Sequence, residues 1–325
     1  MPDRLDHFMA QANAAYYATQ DPFLDFTTSP EISQMFGELL GAWAATVWQQ
    51  IGAPVSLLFA EAGPGRGTLM RDARRATARV APAFHAAAKI HFIENSPRLR
   101  EAQRAAVPDA TWHDDLSTLP PGPLILLANE FLDALPIRQF VRAAGAWQER
   151  HVHAGAFLLC PAEPPTPQTA PPDGTIQEQG DAARTWTTGL AARLARHGGA
   201  AVILDYGPAH STPGDSLQAL RHGRPADPLA DPGTADLTAH VDFQAVAEAA
   251  RTAGAAARGP VPQGKFLAAL GLFRRTEKLA AANPARADAL REAADRLAAP
   301  SRMGHLFKAL AITHPGAPPP PGFAA

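Results

Sequence analysis

The sequence predicts an α/β protein whose core is a parallel β-sheet covered by helices on both faces. Three observations carry this. Continuous apolar runs of strand length recur at 55–61 ("VSLLFAE"), 122–130 ("GPLILLANE") and 198–208 ("GGAAVILDYGP"), without the polar alternation of a half-exposed strand, and 89–94 ("KIHFIE") reads as a further strand. Segments of helical periodicity separate most of them, which implies right-handed crossovers between parallel strands. The first run ends at an acid and passes into "EAGPGRG", a glycine-rich bend that lets backbone approach a ligand before the next helix begins.

Taken in order, Ser29-Pro30 suits a cap and first turn, and Ile32, Met35, Phe36, Leu39, Leu40, Trp43 and Val47 give residues 31–51 the stripe of an amphipathic helix. A strand at 55–61, a helix at 67–80, a strand at 89–94, a helix over "SPRLREAQRAA", a short strand at 110–114 and the strand at 122–130 follow. From 137 to 160 strand-like pieces alternate with glycine turns, as in an antiparallel meander. The proline-dense stretch 161–174 reads as a loop, 181–197 as a helix and 198–208 as another buried strand. The breaker-rich piece "HGRPADPLADPGTADLTAHVDF" reads as a long loop or lid, a type of segment that usually carries function. Helices near 242–253, 264–272 and 283–298 precede a closing strand at 305–313. The expected organisation is a helical cover at 1–52, the first part of the core at 53–136, an insertion of strands, loop and helix at 137–197, the rest of the core at 198–313 with a lid-like loop near 208–241, and a disordered tail at 314–325.

Composition narrows the class. At 325 residues and 46% hydrophobic the chain can bury a full core. Its 29 basic and 31 acidic residues are interspersed, and no block of like charge supplies the basic footprint that nucleic acid requires. Cys160, the single cysteine, excludes an internal disulfide framework and fits a reducing compartment. The N-terminus lacks the apolar core of a secretory signal and no apolar window is long enough to span a bilayer, so the expected location is the cytoplasm, without membrane insertion. No histidine and acid cluster has zinc spacing, and no metal is expected.

The bend sets the chemistry. Gly63, Gly65 and Gly67 are spaced two apart, which is not the G-x-G-x-x-G of a pyrophosphate site and disfavours a nicotinamide oxidoreductase. E-x-G-x-G-x-G after a first strand resembles the cofactor loop of S-adenosylmethionine methyltransferases. Glu61 would then accept from the methionine amine, and Glu94, ending the second strand, would hold the ribose hydroxyls. Asp114 and Asp115 are placed either to meet the adenine or to cap a solvated turn. Asn129, Glu130 and Asp133 follow the fourth strand at the expected methyl-transfer rim, where carboxylates suit a cationic nitrogen acceptor; capping the next helix is the competing use. Thr28 and Ser29 are candidate cofactor contacts, and Glu31, Phe131 and His240 candidate substrate contacts. For Ser29 and Glu31 the alternative is a helix cap and a solvated acid, and for His240 with Asp242 a buried histidine and a helix cap.

The segments "FTTSPEISQMFGELLGAW", "EAGPGRGTLMRDARR", "IENSPRLREAQ", "LLANEFLDALPIRQFV", "DPGTADLTAHVDF", "QGKFLAALGL" and "MGHLFKALAI" together resemble the MidA-like family over about residues 14–312. The resemblance implies a seven-stranded, Rossmann-like class I methyltransferase core with an inserted subdomain and S-adenosylmethionine as cofactor. By analogy with the family's mitochondrial member, it also implies symmetric dimethylation of an arginine on the 49-kDa-type subunit of NADH:ubiquinone oxidoreductase during assembly. Oligomeric state, including a homodimer, is left open. Ala62 departs from the family's "ELGPGRG", and the segment ahead of "TTSPEIS" is short. The shortened cover motivates the rival reading of an assembly chaperone that binds cofactor without transferring methyl.

Overall fold

Seven strands make the central sheet of this computed structural model, which describes residues 2–162 and 171–323. They are β1 (Leu57–Ala62), β2 (Ala88–Ile93), β3 (Thr111–His113), β4 (Leu124–Asn129), β5 (Gly199–Tyr206), β6 (Ala256–Pro262) and β7 (Phe307–Thr313), in the spatial order β6-β7-β5-β4-β1-β2-β3. The first five are parallel, and β7 runs antiparallel between β5 and β6. The order reverses between β1 and β4, which opens a crevice beyond their C-terminal ends.

The unbroken apolar runs of β1, β4 and β5 are explained by burial on both faces. Leu57, Phe59, Ile125, Leu127, Val202 and Leu204 join one hydrophobic core, and Leu58, Ala60, Leu124, Leu126, Ala201 and Ile203 join the other, because successive side chains leave a strand on opposite sides. The first core is covered by α2 (Gln34–Gln50) and α3 (Thr68–Val80), and the second by α5 (Asp181–His197) and α6 (Phe243–Thr252). Ahead of these lies α1 (Leu5–Thr19), and α4 (Pro97–Ala106) follows β2.

Several expectations are corrected. The helix expected over 31–51 is broken at Ser33, whose extended backbone separates a short Ser29–Ile32 turn from α2 and whose hydroxyl accepts from the Met35 amide. The meander is present as strands Arg138–Ala143, Ala146–His153 and Ala156–Pro161, joined at Ala144-Gly145 and Ala154-Gly155. All four turn residues have positive φ, and such paired left-handed turns match the twist of the strands they join. Residues 163–170 of the expected proline-rich loop lie outside the described residues. The α5 helix, grouped with the insertion from sequence, packs on the central sheet through Leu190, Ala191 and Leu194. The lid-like stretch is in part a small antiparallel sheet of Gln218–Arg221, Arg224–Ala226 and Asp236–Thr238. The strand β6 and the helix α7 (Leu272–Ala282) were not anticipated, the helix expected near 264–272 spans Gln263–Ala269, and the one expected near 283–298 is α8 (Ala287–Ala298) after a 3₁₀ turn at Pro284–Arg286. The tail is not disordered as far as residue 323: Phe323 is buried beside Phe266, and the Trp43 indole donates to the Pro321 carbonyl at 3.2 Å.

Candidate active site

A cavity of about 550 Å³ occupies the crevice at the ends of β1, β2 and β4. Its floor is the bend after β1. Gly63 and Gly65 have φ of +61° and +52°, and a Cβ at either would lie 2.8 Å from an aromatic ring, Phe131 for Gly63 and Phe23 for Gly65. Bare backbone is therefore the cavity surface, and two rings stand over it. Gly67, with φ of +78°, starts α3 and lies beside Ala106 and Gln103, outside the cavity lining.

Four acids line the cavity, Glu31 from the cover and three at or just past the strand ends. Glu61 is buried, its Oε2 has no hydrogen-bond partner among the described residues, and burial pushes its carboxyl well above the usual range. An orphaned carboxylate oxygen in a dry setting calls for a donor from a ligand. Glu94 is held from both sides: Oε1 accepts from the Ser96 amide at 2.8 Å and Oε2 from Gln103 Nε2 at 3.2 Å. Burial raises its carboxyl against those two bonds. Glu130 takes a left-handed backbone, φ +51°, which is unusual for a residue with a side chain. Its Oε1 accepts from the Ser29 amide at 2.9 Å and from Asn129 Nδ2 at 3.0 Å, and burial raises its carboxyl as well.

The Glu130 turn is set by a residue the sequence reading left without a role. Asp205, at the end of β5, is fully buried, and its Oδ2 accepts from three consecutive amides, Phe131 at 3.1 Å, Leu132 at 2.9 Å and Asp133 at 3.3 Å. Burial drives its carboxyl up to about 7. Asp133 is also buried and raised well above its usual range, first by burial and then by the neighbouring Asp205, Asp236 and Glu130. It lies behind the turn and does not line the cavity, contrary to the catalytic role expected of it.

The cover is tied to the same place. From α1, Asn13 donates to the Ala134 carbonyl at 3.0 Å and to the Leu237 carbonyl at 2.8 Å, and the Tyr17 hydroxyl donates to Asp236 at 2.8 Å. Thr28 and Glu31 line the cavity; Glu31 is exposed, as the alternative reading of a solvated acid has it, and accepts from the Thr68 hydroxyl at 2.6 Å at the start of α3. Ser29 is fully buried and acts here through its amide.

Two expected cofactor contacts fall elsewhere. Asp114 points outward and pairs with Arg100 at 2.5 Å, and exposed Asp115 caps the 3₁₀ turn at Leu116–Thr118 through the Ser117 amide at 2.7 Å. Neither lines the cavity. Phe131 lines it and packs against Trp186 in a tilted arrangement, with ring centroids 4.9 Å apart. His240 faces a second cavity, and Asp242 caps α6 by accepting from the Ala245 amide at 3.0 Å.

Comparison with known proteins places this geometry. A family model described as "Putative S-adenosyl-L-methionine-dependent methyltransferase" matches residues 39–261. The chain is 33% identical over 347 residues to the Drosophila melanogaster protein arginine methyltransferase NDUFAF7 homolog, mitochondrial, covering 94% of this chain and 79% of that one. It is 32% identical over 335 residues to the Homo sapiens protein arginine methyltransferase NDUFAF7, mitochondrial, covering 89% and 73%. A Burkholderia thailandensis protein solved with S-adenosyl-homocysteine bound superposes with a TM-score of 0.81 at 26% identity, covering 99% of this chain and 88% of that one.

Proposed function

The chain belongs to the S-adenosyl-L-methionine-dependent methyltransferase family, and we propose that it transfers that cofactor's methyl group to a guanidinium nitrogen of an arginine on a partner protein. One observation carries the choice of acceptor: Asn129 and the strained, half-buried Glu130 stand on the cavity wall with Asp133 and Asp205 directly behind them. A cationic acceptor is favoured where carboxylates converge, and a guanidinium is matched by paired acceptor oxygens.

The residues present fit the cofactor. The Oε2 of Glu61 is free to accept from an ammonium, Glu94 offers oxygens to the ribose hydroxyls, and Gly63 and Gly65 leave backbone open to the adenosine side. Bound there, the cofactor supplies an electrophilic methyl on a sulfonium. Asn129 and Glu130 orient the acceptor nitrogen toward that methyl. Glu130 would accept the proton that the acceptor nitrogen gives up when it takes the methyl. The raised Glu130 carboxyl holds that proton more readily than an exposed acid does.

The acceptor we propose is an arginine of the 49-kDa-type subunit of NADH:ubiquinone oxidoreductase, modified by symmetric dimethylation. Support comes from the ordered motifs over residues 14–312 and from relatives named protein arginine methyltransferases. Labelled-methyl transfer to the purified subunit, followed by hydrolysis, tests it. Label in symmetric dimethylarginine is the expected result; label on lysine, or none on protein, would overturn it.

A further inference from the structure

A second cavity, of about 630 Å³, opens beside the first at the same edge of the sheet. It is bounded by the end of β5 (Gly207, Pro208), the start of β7 (Lys308), the loop 212–218 and residues 239–242. Leu135 lines both cavities, so only the segment after β4 separates them.

The charges in it are unequal in their commitments. Glu178 accepts from the Ser216 amide at 2.9 Å and from Gln139 at 2.7 Å, and Asp215 from Arg150 and Gln139, each at 2.8 Å. With Asp242 spent on the α6 cap, each lining acid has its partner inside the protein. The cations do not. Lys308 is buried, and its ammonium donates only to the carbonyls of His305 and of Leu306, the latter at 3.0 Å; among the described residues it pairs with no carboxylate. Among the described residues Arg184 pairs only with Asp181 of its own helix, 4.0 Å away, and the ring of His240 packs edge-on against Tyr206. A buried ammonium with carbonyl partners alone retains a donor for an anion, and a pair formed there is shielded from solvent.

We propose that this second cavity receives the segment of the acceptor protein beside the modified arginine and recognises an aspartate or glutamate in it through Lys308. The inference rests on the arginine-methyltransferase reading and adds a sequence requirement to it. The arginine passes Leu135 toward Glu130 while its acidic neighbour stays behind on Lys308, so cofactor and acceptor occupy separate chambers.

The test is direct binding, in the presence of S-adenosyl-homocysteine, of fluorescent peptides that carry one arginine and one aspartate. The aspartate is moved one position at a time along both sides, and each peptide is paired with its asparagine counterpart. At one or more positions the aspartate peptide should bind about tenfold tighter. Lys308→Met should abolish that difference and Lys308→Arg keep it, with S-adenosyl-homocysteine affinity as the control for folding. Equal binding of both peptide classes, no binding, or an acidic preference that survives Lys308→Met would overturn the proposal, and the wild-type comparison decides even if a variant fails to fold. Methyl transfer is scored separately. Transfer without an acidic preference sinks this inference alone, and an acidic preference without transfer sinks the enzymatic reading.

Discussion

Replacing Gly63 by alanine adds one methyl group where the backbone is left-handed and a ring is already in contact. The conformation costs about 1–2 kcal/mol for a residue with a Cβ. The new Cβ would stand 2.8 Å from Phe131 Cδ2, and that ring cannot retreat freely because Trp186 backs it at a centroid distance of 4.9 Å. Overpacking of this kind costs roughly 1–3 kcal/mol more. The chain relieves the strain by moving the bend or the Phe131 turn, and either shift must be reversed when cofactor binds. If about 2 kcal/mol is restored on binding, the affinity falls about 30-fold. Calorimetric titration with S-adenosyl-homocysteine reads this directly. The added variant Gly63→Ala/Phe131→Ala removes the clash but not the backbone strain, so its loss should be smaller than the sum of the two single losses. A Gly63→Ala protein that binds within about threefold of wild type, or a double variant whose losses simply add, would refute the reasoning.

Glu130→Gln keeps the size and one acceptor oxygen but gives up the basicity, so turnover should fall about 100-fold or more while cofactor affinity stays within about threefold; steady-state rates and titration measure both. Asp114→Asn and Asp115→Asn should leave that affinity unchanged, since neither side chain reaches the cavity, and a loss in either would reopen the adenine assignment. Asp205 has a carboxyl raised from 3.8 to about 7 in the folded chain, so between about pH 4 and 7 the native state holds a proton that the unfolded chain has lost. Its contribution to stability is therefore present at low pH and lost as pH rises through that window. The melting-temperature advantage of wild type over Asp205→Asn should shrink from pH 4 to 7, and growth of that advantage would contradict the assignment. Phe323→Ala, which empties a buried site beside Phe266, should destabilise the chain by about 3 kcal/mol in denaturant titration.

What the sequence made legible was what local pattern controls. Strands buried on both faces announce themselves as unbroken apolar runs, and the ends of β1, β2 and β4 could be located well enough that Glu61, Gly63, Gly65, Glu94, Asn129 and Glu130 meet at one cavity. The β6 strand was hidden because "AARGPVP" carries a glycine and two prolines and pairs along only one side, with a register shift between Arg258 and Val261. Asp205 ended a predicted strand, yet its role depends on amides more than 70 positions earlier in the chain, a relation no local pattern encodes. Asp114 and Asp115 were misplaced for a related reason: the choice between cavity and solvent was made by Arg100 and by a 3₁₀ turn. The tail's prolines argued for disorder, and the single aromatic that anchors it carried little weight beside them.

The hydrogen bond from the Ser29 amide to Glu130 ties the segment over the cavity to the turn after β4. Thr28 and Pro30 on either side of Ser29 line the cavity, so any movement of this segment withdraws a donor from the Glu130 carboxylate, and the cover and that carboxylate shift as one.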